Sequence, residues 1–274
     1  MTRDPSVSSA HNPRFRATLA LRERRARERE GRILIDGERE IARALEAGVR
    51  PVEAWLDVTD GNGGRRELWR RLADAGVPLV DASRPLIERL SYGDRNEGIV
   101  LVAEAPATSL AALPELPHDP LVAVLERVEK PGNLGAVLRS ADGAGVSALI
   151  LADPVADPFN PNVVRASLGT VFTVPLAQAP GAEVLGWLRR HGIRIVAARV
   201  DAARDHTGTD MRGPLAFVLG SEAEGLSAIW SGEDVSAVHI PMLGMADSLN
   251  VSATAAILFY EALRQRGGAA QARA

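Results

Sequence analysis

Two spacings of apolar residues alternate along the chain: short, nearly continuous apolar runs, and longer segments with apolar residues three and four apart. The first spacing predicts buried strands and the second amphipathic helices. In the N-terminal part, ALRERRARERE predicts a helix, RILIDG a short strand ending at Gly37, and EREIARALEAG a helix closed by Gly48. VEAWLDV predicts a strand, DGNGG a loop, RRELWRRLADAG a helix and VPLVD a strand. SRPLIERLSYG follows as a helix opened by a Ser cap, and GIVLVAEAP is the last strand. Residues 14–105 are therefore expected to form one compact α/β unit, preceded by a polar, disordered tail over 1–13.

The Pro- and Ala-rich stretch at 106–117 predicts a linker. A second unit is expected over 118–274, with strands at 121–128, 148–153, 170–176, 193–200, 215–221 and 235–242. Helices such as NLGAVLRSADGAG and AEVLGWLRRHG lie between them. Near-continuous apolar strands separated by helices predict a parallel sheet covered on both faces. A last helix starts near Val251, with Ala255, Leu258, Phe259, Ala262 and Leu263 at helical spacing. It is entered through SLNVS, which has the composition of a helix cap and equally of a binding loop.

Composition narrows the chemistry. The chain has no cysteine, which excludes disulfides, zinc–thiolate sites and cysteine nucleophiles. No apolar run approaches the roughly 20 residues of a membrane span, and the first residues lack the apolar core of a secretory signal, so a cytoplasmic protein without a membrane partner is expected. The net charge is −3, yet Arg14 to Arg32 holds eight arginines against three glutamates. Lys130 is the only lysine. A basic N-terminal helix suits phosphate backbones; a solvated helix with Glu–Arg pairs is the plainer reading.

In a parallel sheet, ligands bind beyond the carboxyl ends of the strands. Three connections there carry unusual polar residues: ERVEKPGNLGAVLRSADGAGV, VLGSEAEGLS and HIPMLGMADSLNVS. Gly132 and Gly135 lack the spacing of a dinucleotide fingerprint, and no phosphate-binding loop is present. No carboxylate or histidine group has metal-ligand spacing. Asn133, Arg139, Glu222, Ser248 and Asn250 all fall near one edge of one sheet, although each alone could be a cap or a surface residue.

Together these three segments resemble, in order and spacing, the motifs of the SpoU (TrmH) class of RNA ribose 2′-O-methyltransferases, over about residues 118–268. The N-terminal unit is similar in layout to the L30e-like RNA-binding domain that many members carry. The whole chain looks most like bacterial 23S rRNA enzymes, including antibiotic-resistance members. The resemblance implies an α/β SPOUT domain with a deep trefoil knot, S-adenosylmethionine as cofactor, and a homodimer. It implies a polar site of Asn133, Arg139, Glu222, Ser248 and Asn250. It places the cofactor against Ala198, Leu219, Gly220, Ile240, Met242 and Leu249. Arg139 would then serve as a cation gripping a phosphate bidentately, because arginine stays protonated in proteins. Arg165 and the arginines Arg22, Arg24, Arg25 and Arg27 are the expected RNA contacts. A tRNA enzyme and a non-catalytic RNA-binding protein of the same fold are the alternatives. A nucleotide-dependent oxidoreductase or kinase would need a fingerprint that this chain lacks.

Overall fold

A computed structural model describes residues 3–57, 63–93, 97–222 and 224–267. Its contacts divide the chain into two compact units, 1–106 with 157–173, and 107–156 with 174–274.

The first unit holds β1 (Arg3–Val7), α1 (Pro13–Ala20), α2 (Arg24–Glu30), β2 (Arg32–Asp36), α3 (Glu38–Glu46), β3 (Pro51–Asp57), α4 (Gly63–Asp74), β4 (Leu79–Ala82), α5 (Arg84–Leu90) and β5 (Ile99–Glu104). The sheet order is β1-β4-β3-β5-β2, with β5 antiparallel to both β2 and β3 and the other pairs parallel. Its core closes around Phe15 and Trp55, which meet edge to face at 6.0 Å. The expected disordered tail is corrected by β1, which pairs with β4 as an edge strand. Polar strands suit an edge, and such a strand lacks the apolar alternation that would mark it in sequence. The single basic helix is instead two, α1 and α2, broken at residues 21–23. The loop expected at DGNGG lies outside the described residues up to position 62.

Residues 157–173, with α7 (Pro161–Ala166), also belong to this unit, so the expected uninterrupted second domain is corrected. Charge and burial explain the attachment. Buried Arg27 forms an ion pair with Asp157 and donates to the carbonyls of Leu21 (2.8 Å) and Arg22 (2.6 Å). Arg43 donates to Leu168 O at 2.6 Å, and Arg165 pairs with Asp36 at 3.2 Å. The apolar side chains of Val163 and Val164 are fully buried.

The second unit holds β6 (Leu121–Glu126), α6 (Pro131–Ala144), β7 (Ala148–Ala152), β8 (Leu176–Ala179), α8 (Gly181–Arg190), β9 (Arg194–Ala198), β10 (Leu215–Leu219), β11 (Val235–Val238) and α9 (Val251–Gln265). The six strands are parallel throughout, in the order β11-β9-β10-β6-β7-β8. Every residue of the central strands β6 and β10 is buried, as near-continuous apolar runs require. The expected linker is corrected too: it carries a 3-10 turn at Leu110–Ala112, and Leu110, Leu113 and Leu116 pack on the core of this unit.

From β6 the sheet grows one way through β7 and β8, and the other way through β10, β9 and β11. The order therefore reverses between β6 and β10, and the carboxyl ends of those strands form the crevice where ligands bind in open parallel sheets. The chain leaves β11 at one edge and returns as α9, which packs on α6 and β10. The C-terminal end of α9 is tied down. Arg266 donates to the carbonyls of Asp119, Met211 and Gly213, and Gln265 joins Thr209 and Met211.

Candidate active site

At the N-terminus of α9, Asn250 performs two tasks at once. Its Oδ1 caps the helix, accepting from Ser252 N at 2.9 Å and Ser252 Oγ at 2.6 Å. Its Nδ2 reaches the other way, to Glu222 Oε1 at 3.0 Å and Asn133 Oδ1 at 3.2 Å. Asn133, in the first turn of α6, also donates to Glu222 Oε1. Glu222, in the connection after β10, accepts Lys130 on its other oxygen at 2.5 Å. Three segments distant in sequence thus converge on one carboxylate. The SLNVS stretch is both cap and binding loop, because one side of an amide serves each purpose.

The connection after β10 is fixed from beneath. Glu126, the last residue of β6, is fully buried; it accepts Ser227 N at 2.8 Å and Ser227 Oγ at 2.6 Å. Arg127 follows with a left-handed backbone (φ 51°), as does Asp153 at the end of the neighbouring β7 (φ 47°). Non-glycine residues held in that region store strain, and such strain clusters at functional sites. Arg127 lies 3.4 Å from Glu224 and 4.0 Å from Asp153.

Beside this network opens a cavity of about 810 Å³, bounded by the ends of β9, β10 and β11 and by the start of α9. All six positions expected to hold the cofactor line it: Ala198, Leu219, Gly220, Ile240, Met242 and Leu249. Ser248 and Glu222 line it as well. The size suits a cofactor, and the walls combine apolar side chains with a few polar groups, as ligand sites do. The carboxylates of Asp201, Glu222, Glu224 and Asp247 outnumber the one arginine, Arg199, and Arg199 pairs with Asp201 at 3.1 Å. That negative excess fits a ligand carrying a sulfonium and an ammonium group. Gly220 leaves no room for a side chain: a Cβ there would stand 2.3 Å from the backbone of Gly225.

Residues 120–260 match the model of the SpoU rRNA Methylase family, and residues 12–101 match an MRM3-like substrate binding domain. The chain belongs to the SpoU family. It is 35% identical over 272 residues to a 23S rRNA (uridine(2479)-2′-O)-methyltransferase of Streptomyces viridochromogenes, covering 94% of this chain and 92% of that one. Among solved structures, the SpoU methyltransferase AviRb of the same organism, in complex with AdoMet, is similar with a TM-score of 0.85 and 32% identity. That likeness covers 93% of this chain and 98% of the other. An AdoMet-bound rRNA methyltransferase of Sinorhizobium meliloti gives a TM-score of 0.86 at 27% identity, over 95% and 97% of the two chains.

Of the five polar residues that the SpoU resemblance singles out, Asn133, Glu222 and Asn250 meet directly. Ser248 stands at the cavity, and Arg139 is exposed on α6, outside the hydrogen bonds of this network. The arginines of the first unit divide sharply. Arg24 and Arg25 are exposed, Arg24 beside Glu28 at 2.7 Å. Arg27 is corrected as an RNA contact, because its guanidinium is buried against Asp157. Arg22 donates to the carbonyls of Arg89 (2.8 Å) and Ser91 (2.6 Å) and lies over the Tyr92 ring at 5.4 Å, which is a packing role. Arg165 is committed to Asp36. Burial raises the pKa of that carboxyl, while Tyr92 N–H and the Arg165 guanidinium oppose the rise.

Four residues of the site escaped the sequence reading: Glu126, Ser227, Arg127 and Lys130. A carboxylate closing the otherwise apolar strand LVAVLE was the available signal for Glu126. A buried charge at such a place needs donors, and they come from Ser227. Among the described residues there is no group of histidines and carboxylates that could hold a metal ion.

Proposed function

We propose that this chain is an S-adenosylmethionine-dependent RNA ribose 2′-O-methyltransferase that modifies 23S rRNA. The observation that carries the reading is the Asn133–Glu222–Asn250 network standing at the edge of a cavity suited to the cofactor. When bound, the cofactor supplies a methyl group already activated by a positively charged sulfur.

The residues of the chain position the reacting groups. Converting a two-body encounter into a held geometry contributes up to about 7–11 kcal/mol to lowering the barrier. Leu219, Ile240 and Leu249 give the cavity its apolar wall, and Gly220 lets backbone close upon the ligand. Glu222 keeps Asn133 and Asn250 aligned at the cavity rim instead of touching RNA. Arg139 is the cation that grips the phosphate next to the target ribose and stabilises charge developing on its 2′-oxygen. The hydroxyl proton leaves to solvent or to that phosphate.

The first unit docks RNA, supported by its match to a substrate-binding domain. The route from β11 back to α9 is the path on which the C-terminal segment passes through the knot of the family. The chain works as a homodimer whose interface completes the active site, and its substrate places it in the cytoplasm. No helix among the described residues is long and apolar enough to cross a membrane. The target is rRNA in preference to tRNA, because the likeness to the 23S rRNA enzyme of Streptomyces viridochromogenes extends over 94% of this chain and so over both units.

The test is transfer of labelled methyl from the cofactor to total RNA, followed by mapping of alkali-resistant ribose positions. One nucleotide of 23S rRNA should become resistant, and Arg139→Lys, which keeps the charge but loses the fork, should lose most of the rate. Methylation confined to tRNA, or an Arg139→Lys variant at full rate, would contradict the substrate or the clamp respectively.

A further inference from the structure

Among 32 lysine and arginine side chains, Lys130 is the only lysine. It occupies the N-cap position of α6, directly before Pro131, and its ammonium lies 2.5 Å from Glu222 Oε2. The other oxygen of Glu222, Oε1, takes the amides of Asn133 and Asn250. The carboxylate is therefore divided, with the cation on one oxygen and both amides on the other.

Arginine could not make this division. A guanidinium presents two parallel N–H groups matched to both oxygens of a carboxylate, and would compete with the asparagines for Oε1. An ammonium is a point donor that needs only one. We propose that Lys130 is a positioning residue of the methyl-transfer site: by occupying Oε2 of Glu222 it reserves Oε1 for the amides of Asn133 and Asn250. The assignment rests on the function proposed above.

Stability is not what this contact contributes. The Lys130 side chain is 71% exposed, and exposed ion pairs contribute little to folding. Nor is Lys130 a general base. Glu222 beside it, with Glu129 adding in the same direction, raises its pKa, so the amine stays protonated at neutral pH. Its effect is on the geometry of its neighbours.

A single lysine makes a clean probe. Reductive methylation of the full-length protein with 13C-formaldehyde gives one dimethyl-lysine signal besides the α-amine, which titrates about 2–3 units lower. The lysine signal should titrate at higher pH in the wild type than in Glu222→Gln; equal midpoints would show that the ion pair is absent in solution. The side-chain amide resonances of Asn133 and Asn250 should move in Lys130→Arg, and unmoved amides would overturn the positioning role.

Kinetics separate that role from a phosphate contact. Lys130→Arg and Lys130→Ala should both lower kcat by about ten- to a hundredfold, with KM for RNA nearly unchanged. Their melting temperatures should stay within about 4 °C of the wild type. Full kcat in Lys130→Arg together with a raised KM for RNA in Lys130→Ala would mean that Lys130 binds phosphate, and would overturn the proposal. A wild-type protein that methylates no RNA would refute the function above, and the amide resonances would still decide the placement of Lys130.

Discussion

Gly220 is the residue at which the candidate site tolerates least. It directly follows β10 where the chain turns tightly, with Gly225 N donating to Ser221 O at 3.0 Å and Gly225 itself left-handed at φ 67°. A Cβ on residue 220 would meet three backbone atoms of Gly225 and Leu226 within 2.6 Å, and backbone cannot rotate aside as a side chain can. Overpacking of this kind costs about 1–3 kcal/mol, and here the strain falls on the wall of the cofactor cavity. Gly220→Ala should therefore weaken cofactor binding by about ten- to a hundredfold in a calorimetric titration while the protein remains folded. Unchanged affinity would mean that the turn does not form the wall. The same residue shows what sequence can reveal. The SpoU resemblance places Gly220 against the cofactor, but the partner across the turn, and hence the intolerance, comes only from three dimensions. Glu126 is the opposite case: its carboxylate at the end of an apolar strand was visible, but nothing nearby in sequence announced Ser227 as its donor.

Elements with strong apolar patterns were legible, and the misplaced ones are those where side-chain hydroxyls or long-range charges decide. TVFTVPL has strand-like composition, yet residues 170–173 form turns and β8 starts only at Leu176. Ser167, Thr170 and Thr173 direct their hydroxyls to backbone carbonyls three residues earlier, which favours turns over a ladder. The attachment of 157–173 to the first unit was likewise invisible, since it depends on Arg27 and Asp157, 130 positions apart. Arg27 is only 4% exposed and Asp157 15%. Removing one partner of such a pair leaves a buried charge uncompensated, at a cost of about 3–5 kcal/mol. Asp157→Ala should accordingly lower the thermal midpoint clearly, whereas Arg24→Ala on the exposed side of the same helix should leave it almost unchanged. Equal midpoints for the two variants would remove the anchoring role assigned to Arg27.

For the whole molecule, a net charge of −3 sets a problem for any enzyme acting on RNA. Overall attraction to a polyanion is absent, so docking must rely on local cationic surface. The arginine-rich stretch at 14–32 would supply it if all of its cations faced solvent, but they do not. Arg27 is buried, Arg22 is spent on carbonyls and the Tyr92 ring, and Arg14 pairs with Glu53 at 2.8 Å. Exposed Arg24, Arg25 and Arg29 remain on α2, with Glu28 beside Arg24 and Glu30 beside Arg29 as partners that a phosphate can replace. Each phosphate contact releases condensed counterions, steepening the fall of log affinity with log salt by about 0.7–0.9 per contact. The double variant Arg24→Ala/Arg25→Ala should thus flatten the salt slope of RNA binding by about 1.5 while leaving cofactor affinity unchanged. Arg27→Ala should act through stability instead, losing RNA binding only as the first unit loses its fold. A salt slope that stays the same in the double variant would move RNA docking off α2 and onto another face of the protein.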